Sequence, residues 1–179
     1  MEKTLAGKKI AIIIAFRDFR DEEYFIPKKI LEMSGAETNT ASTAIGQAIG
    51  KFGAETEATM LINDIKVLKY DAIVFVGGPG AGKLIDDTSC HRIAKEAAEK
   101  GKILAAICIA PAILAKSGVL KGKKATVWSS SLDKSAIKIL KEAGADYQDE
   151  SVVIDGRIIT ANNPDAGQEF AQKIIELLK

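Results

Sequence analysis

The chemistry open to this chain of 179 residues rests on few side chains: two cysteines, Cys90 and Cys108, and a single histidine, His91. One imidazole excludes any mechanism that needs several. Two cysteines supply neither a disulfide framework nor a zinc-type cysteine pair, so both read as reduced thiols. Cys108 has the setting that points to chemistry. It follows the apolar run Lys102–Ile107, and Ile109-Ala110-Pro111 then opens a helical stretch in which Pro111 is acceptable because a first-turn N–H needs no partner. A helix N-terminus favours thiolate over thiol, and a sharp strand-to-helix turn lifts the side chain out of the sheet, as in hydrolase nucleophile turns. One backbone N–H after Cys108 and one from the Gly77-Gly78 turn would meet above the sulfur as an oxyanion hole. A buried structural thiol fits the same position, and residue types alone leave both readings open.

The remaining candidates are weaker. Gly77-Gly78-Pro79-Gly80-Ala81-Gly82-Lys83 follows a strand and satisfies the phosphate-cradling G-x-x-x-x-G-K pattern up to the lysine, but Leu84 stands where a Mg²⁺-binding Ser or Thr belongs. Pro79 also removes a backbone donor from a loop that must donate to phosphate. The segment reads as a tight glycine turn at a sheet edge. His91 reads as a solvated residue in the first turn of a helix, beside Cys90. Trp128 and Ser129–Ser131 either line a pocket or end a strand with a serine cap for the next helix. Asp21-Glu22-Glu23 by themselves are acidic residues favouring a helix N-terminus.

These residues need a scaffold, and the hydrophobic pattern predicts one. Lys9–Ala15, Asp71–Val76 and Ile103–Ile107 are nearly continuous apolar runs of strand length, suited to strands buried on both faces. Amphipathic stretches alternate with them: Glu23–Ser34, Thr88–Lys100, Ala110–Ser117, Asp133–Ala143 and Asp165–Leu178, the first three each followed by glycine. Val152–Ile154, Asp155-Gly156 and Arg157–Thr160 predict a hairpin with a type I′ turn, and a second small hairpin is predicted within Ala44–Thr59. The alternation predicts an α/β fold, a three-layer α/β/α sandwich with a mostly parallel sheet, in one domain spanning residues 1–179. In such a sheet ligands gather at the carboxyl ends of the strands, where Cys108 and the glycine turn both fall.

Composition excludes several function classes. Twenty-five Lys and Arg against 24 Asp and Glu leave a net charge of +1, no footprint for nucleic acid or an anionic membrane surface. The longest apolar stretch, Ile103 to Ala115, is too short for a membrane span, and Arg17-Asp18-Phe19-Arg20 follows the first apolar run where a signal peptide would have a cleavage site. A cytoplasmic protein without cofactor or metal is expected.

Four ordered segments make the chain recognisable. Ala105-Ala106-Ile107-Cys108-Ile109-Ala110-Pro111 resembles the A-x-C-x-x-P nucleophile elbow of the DJ-1/PfpI (ThiJ) superfamily. Glu23-Tyr24-Phe25-Ile26-Pro27 resembles its E-x-x-x-P helix start, and Tyr70 to Gly78 its Y-D-x-x-x-x-P-G-G turn, with Val76 in place of proline. Thr160 to Pro164 resembles its T-x-x-x-P segment near the C-terminus. The resemblance implies a flavodoxin-like, class I glutamine-amidotransferase-like fold, and a homodimer or larger homo-oligomer. It implies Cys108 as the reactive cysteine, Glu23 as the carboxyl beside it, and Gly78 and Ile109 as the N–H donors; Gly77, Trp128 and Ser129 are expected at the pocket. The histidine that many members add is missing, since Ile109 and Trp128 occupy its two usual places. The expected function is therefore thiolate chemistry on small electrophiles, of the glyoxalase or deglycase kind or in oxidative-stress response. The alternatives are an intracellular cysteine peptidase or amidase acting on short peptides, and a non-enzymatic redox sensor or binding module. Cys108 is expected to have a depressed pKa and to react faster than Cys90.

Overall fold

Each of the central apolar runs divides its side chains between two cores, as a strand covered on both faces must. In the computed structural model, which describes residues 4–179, Ile10, Ile12 and Ile14 point to one core, while Ala11 and Ile13 point to the other. Val74 and Ala105 join the first set, and Ile73, Phe75, Leu104 and Ala106 the second. These runs form β1 (Lys9–Ile13), β7 (Ala72–Phe75) and β8 (Ile103–Ile107).

They are the middle of a seven-stranded sheet with spatial order β11-β12-β8-β7-β1-β3-β6. Its other members are β3 (Glu37–Ser42), β6 (Met60–Leu61), β11 (Val152–Asp155) and β12 (Ile158–Ala161). Every neighbouring pair is parallel except β11 with β12. Helices α1 (Asp21–Met33) and α5 (Gly167–Leu178) cover one face, Leu31 and Phe170 lying in the core beneath them. Helices α2 (Thr88–Glu99), α3 (Pro111–Ser117) and α4 (Ser135–Glu142) cover the other through Ile93, Ile113 and Leu140. This is the expected three-layer sandwich. Among the described residues no helix is long and apolar enough to cross a membrane.

Two local expectations are corrected. The β11–β12 turn is centred on Gly156-Arg157, because Asp155 pairs with Ile158. Only Gly156 has positive φ (+61°), which excludes type I′, a turn that needs two such residues, and matches the glycine-first pattern of type II′. Thr126–Ser129 does not form a strand; only Lys124–Ala125 (β9) does, paired with Asp146–Tyr147 (β10) outside the main sheet.

The predicted small hairpin is present as β4 (Gly46–Gly50) and β5 (Glu55–Ala58). The sequence pattern did not show that Arg17–Phe19 (β2) pairs with β4, making a separate three-stranded sheet beside the carboxyl edge of the main one. Tyr24 ties the two sheets together. Its buried hydroxyl is 2.6 Å from Thr40 Oγ1 on β3 and 2.9 Å from Thr56 Oγ1 on β5. Tyr24→Phe should therefore lower unfolding free energy by about 1–2 kcal/mol in urea titration, because the buried Thr40 hydroxyl and the half-buried Thr56 hydroxyl lose a partner. An unchanged midpoint would mean the small sheet is held by packing alone.

Candidate active site

Cys108 lies immediately beyond β8, and its backbone is held in the left-handed region at φ +63°. A non-glycine residue there is strained, and its surroundings must hold it. They do so on three sides. Cys108 N–H donates to Ala161 O (2.8 Å), Trp128 N–H donates to Cys108 O (2.8 Å), and Ala110 N–H closes a turn on Ile107 O (3.1 Å). Helix α3 starts only at Pro111, so the sulfur stands before the helix rather than on its first turn.

The glycine turn is close to the elbow because glycine lets it be. A Cβ on Gly77 would overlap the Glu23 carboxylate and Cys108 Cβ; one on Gly78, at φ +104°, would strike the backbone of Asp18–Arg20. Gly80 lies against Arg17 O in the same way. Leu84 is buried. The near-match to a phosphate loop thus has Gly77, Gly78 and Gly80 packed against protein, while Gly82 has nothing within 4 Å of its Cβ position.

Glu23, on the first turn of α1, is fully buried beneath the elbow. Its Oε2 accepts from Gly77 N–H at 3.0 Å. Oε1 has no hydrogen-bond partner among the described residues, and the Cys108 thiol is within reach of the carboxyl. Burial pushes the Glu23 carboxyl up to about 7, against the opposing pull of Cys108, the Gly77 N–H and Arg20. The backbone N–H groups of Gly78 and Ile109 are close enough to the sulfur to favour its charged form.

The expected depression of the Cys108 pKa is not what this environment produces. Burial, then the charge and hydrogen bonding of Glu23, push the thiol up, and the two N–H groups only oppose this. The sequence reading weighed the helix N-terminus and the two N–H groups; in the structure burial and the Glu23 carboxyl outweigh them. Cys90 is also pushed up, by burial and Asp87, and has no corresponding N–H donors.

Above the sulfur is a cavity of about 310 Å³ lined by Arg20, Lys51, Gly78, Pro79, Gly82, Cys108, Ile109 and Trp128. Gly77 and Ser129 do not line it: Gly77 holds Glu23 from below, and Ser129 lies beyond Trp128. Ser130, not Ser129, makes the local turn, its Oγ accepting from Leu132 and Asp133 N–H. His91 lies on α2, its Nε2 2.7 Å from Ile85 O, and faces a different surface groove. Arg20, Lys51, Pro79 and Gly82 are the lining residues the sequence reading missed. Charged residues in turns flanking short strands are ordinarily solvated, so only the docking of the second sheet brings them here. No group of three or more His, Cys, Asp or Glu suited to a metal occurs among the described residues.

Comparison with known proteins agrees with this geometry. The family model described as "DJ-1/PfpI family" matches residues 8–177. Uncharacterized protein MJ0967 of Methanocaldococcus jannaschii is 38% identical over 178 residues, covering 99% of this chain and 85% of that protein. A ThiJ/PfpI domain protein from Brachyspira murdochii superposes with a TM-score of 0.90 at 34% identity, covering 96% of this chain and 98% of the other. The oxidized form of Toxoplasma gondii DJ-1 superposes with a TM-score of 0.83 at 28% identity, covering 96% and 91%.

Proposed function

The chain belongs to the DJ-1/PfpI family, and from that premise we propose that it is a thiolate enzyme for small carbonyl electrophiles, with glyoxalase-type chemistry at Cys108 and Glu23. The observation that carries this is the strained elbow itself: a sulfur facing two N–H donors and a buried carboxyl that titrates near 7. One proton is shared between two groups that cannot both ionise cheaply. Placed on Glu23, it turns the otherwise unbonded Oε1 into a donor to the sulfur and gives the Gly78 and Ile109 N–H groups a charged acceptor. Placed on the sulfur, it leaves those N–H groups a weak neutral acceptor.

In the proposed reaction the Cys108 thiolate adds to the aldehyde carbon of a small dicarbonyl. An S–C bond forms, the carbonyl π pair moves to oxygen, and that oxygen takes the Glu23 proton. The Glu23 carboxylate then removes the C–H proton of the hemithioacetal and returns it to the neighbouring carbon, while the hydroxyl proton of the hemithioacetal passes to the oxygen on that carbon. The resulting thioester is hydrolysed by water to a 2-hydroxy acid, which frees the sulfur and restores the shared proton. A carboxyl near 7 suits both proton transfers at neutral pH. Peptide hydrolysis receives less support, because no imidazole is present to protonate a leaving amine.

Consumption of methylglyoxal with formation of lactate is the test, and its absence would defeat the carbonyl reading. A redox role is the second reading, favoured by the N–H donors that suit a sulfinate as well as a thiolate, and by the oxidized state of the Toxoplasma gondii relative. Intact-mass measurement after mild peroxide should then show two added oxygens at Cys108 and none at Cys90. Hydrolysis of a peptide substrate would favour the peptidase instead. The proposal includes a cytoplasmic homodimer, for which a stable monomer in sedimentation at micromolar concentration would be the contrary result.

A further inference from the structure

We infer that the cavity above Cys108 selects electrophiles that carry a carboxylate beside the reactive carbon, and that Arg20 and Lys51 set this specificity. The inference rests on the reading of Cys108 as a nucleophile. Arg20 is fixed at three points. Its backbone N–H donates to Gly77 O (3.0 Å), its Nε donates to Glu22 Oε2 (2.8 Å), and its guanidinium stands 4.8 Å from the Phe52 ring centroid. Its two terminal amino groups have no hydrogen-bond partner among the described residues, so a planar pair of donors remains on a cavity wall. Lys51, on the same wall, has no ion pair among the described residues and lies 5.6 Å from the same ring.

The charges near the sulfur do not oppose an anion. Arg20 and Lys51 are positive; Glu22, Asp21 and the singly ionised Glu23–Cys108 pair are negative, but Glu22 is engaged at Nε, away from the free amino groups, and Asp21 is engaged by the Phe52 and Ala54 N–H groups. The cationic groups therefore offset the thiolate's repulsion of an incoming carboxylate, and Arg20 adds a bidentate donor. Among the other lining residues, Ile109, Pro79 and Trp128 are apolar or aromatic and carry no counter-charge.

Asp21 is the positioning residue for this arrangement. Its buried carboxylate accepts from Phe52 N–H (2.9 Å) and Ala54 N–H (3.0 Å), clipping the β4–β5 turn to the start of α1. Gly50 permits the clip, since a Cβ there would overlap the Asp21 carboxylate. Lys51 and Phe52 thereby stand beside Arg20 rather than in solvent.

Iodoacetate and iodoacetamide test the inference, because both alkylate a thiolate by the same displacement: an S–C bond forms and iodide leaves with the C–I electron pair. They differ by one charge. Their rate ratio at Cys108, divided by the ratio for glutathione in the same buffer, removes thiol nucleophilicity from the comparison. That quotient should exceed one by about tenfold and fall with added salt. It should drop roughly three- to fivefold in Lys51→Gln, whose side chain is exposed, and in Arg20→Gln. Asp21→Asn should also lower it: removing a negative charge would by itself raise the quotient, so a fall reports loss of the clip that holds Lys51 beside Arg20. A quotient near one that ignores Lys51→Gln overturns the inference while leaving Cys108 a nucleophile. No alkylation of Cys108 by either reagent overturns the nucleophile and the anion preference together.

Discussion

Cys108→Ser should abolish methylglyoxal consumption, by at least about 10³-fold, while leaving the fold intact. The substitution changes one atom and keeps the backbone demand at φ +63° the same, so thermal stability should shift by less than about 1 kcal/mol. Reactivity changes far more. The Gly78 and Ile109 N–H groups oppose the upward push that burial and Glu23 exert on the thiol, and in the proposed reaction Glu23 carries the shared proton while the sulfur carries the charge; a serine hydroxyl in the same cage is a far weaker acid, with no imidazole to take its proton. The serine variant should also stay unmodified in intact-mass measurement after peroxide. Lactate formation by Cys108→Ser at a tenth of the native rate would remove the cysteine from the mechanism and transfer the question to Glu23 alone.

The legible and illegible parts of this protein separate on physical grounds. Strands β1, β7 and β8 were readable because both faces are buried, which demands unbroken apolar runs whatever surrounds them. The elbow was readable because Pro111 and the glycine turn each mark a backbone constraint that few other residues satisfy. Gly78 and Ile109 enter as backbone donors, so their identity carried little signal beyond the family resemblance. Beta-strand Arg17–Phe19 was missed because three residues with one buried side chain have no period to detect. Its consequence, the arrival of Arg20 and Lys51 at the cavity, depends on contacts such as Asp21 with Phe52, separated by 31 positions. The pKa of Cys108 was misread for a related reason: strand-then-helix spacing reveals the turn but not the depth at which the sulfur lies, and depth decides the desolvation.

Glu23→Gln should make the protein more stable above neutral pH and nearly inactive, a pairing that separates a functional carboxyl from a structural one. In the folded chain Glu23 titrates near 7, whereas an unstrained glutamate titrates at 4.5. Between those values the native state holds a proton that the unfolded state has released, so stability is greatest at or below pH 4.5 and is lost as pH rises toward 7. The difference corresponds to roughly 3 kcal/mol. Glutamine copies the protonated carboxyl: its carbonyl accepts from Gly77 N–H and its amide faces the sulfur, but it has no proton to lose. The stability gap between Glu23→Gln and the native chain should therefore widen in favour of glutamine from pH 5 to pH 8. Measured in a Cys108→Ser background, where the thiol beside Glu23 is gone, the same widening assigns the effect to Glu23. Turnover should fall by about 10²-fold in Glu23→Gln, because both proton transfers use this carboxyl. Glu23→Leu should be inactive and also less stable by about 1–3 kcal/mol at low pH, since it strands the Gly77 N–H. A native-like pH profile of stability in Glu23→Gln would mean the carboxyl is already ionised in the fold, and the shared proton would then belong to the sulfur.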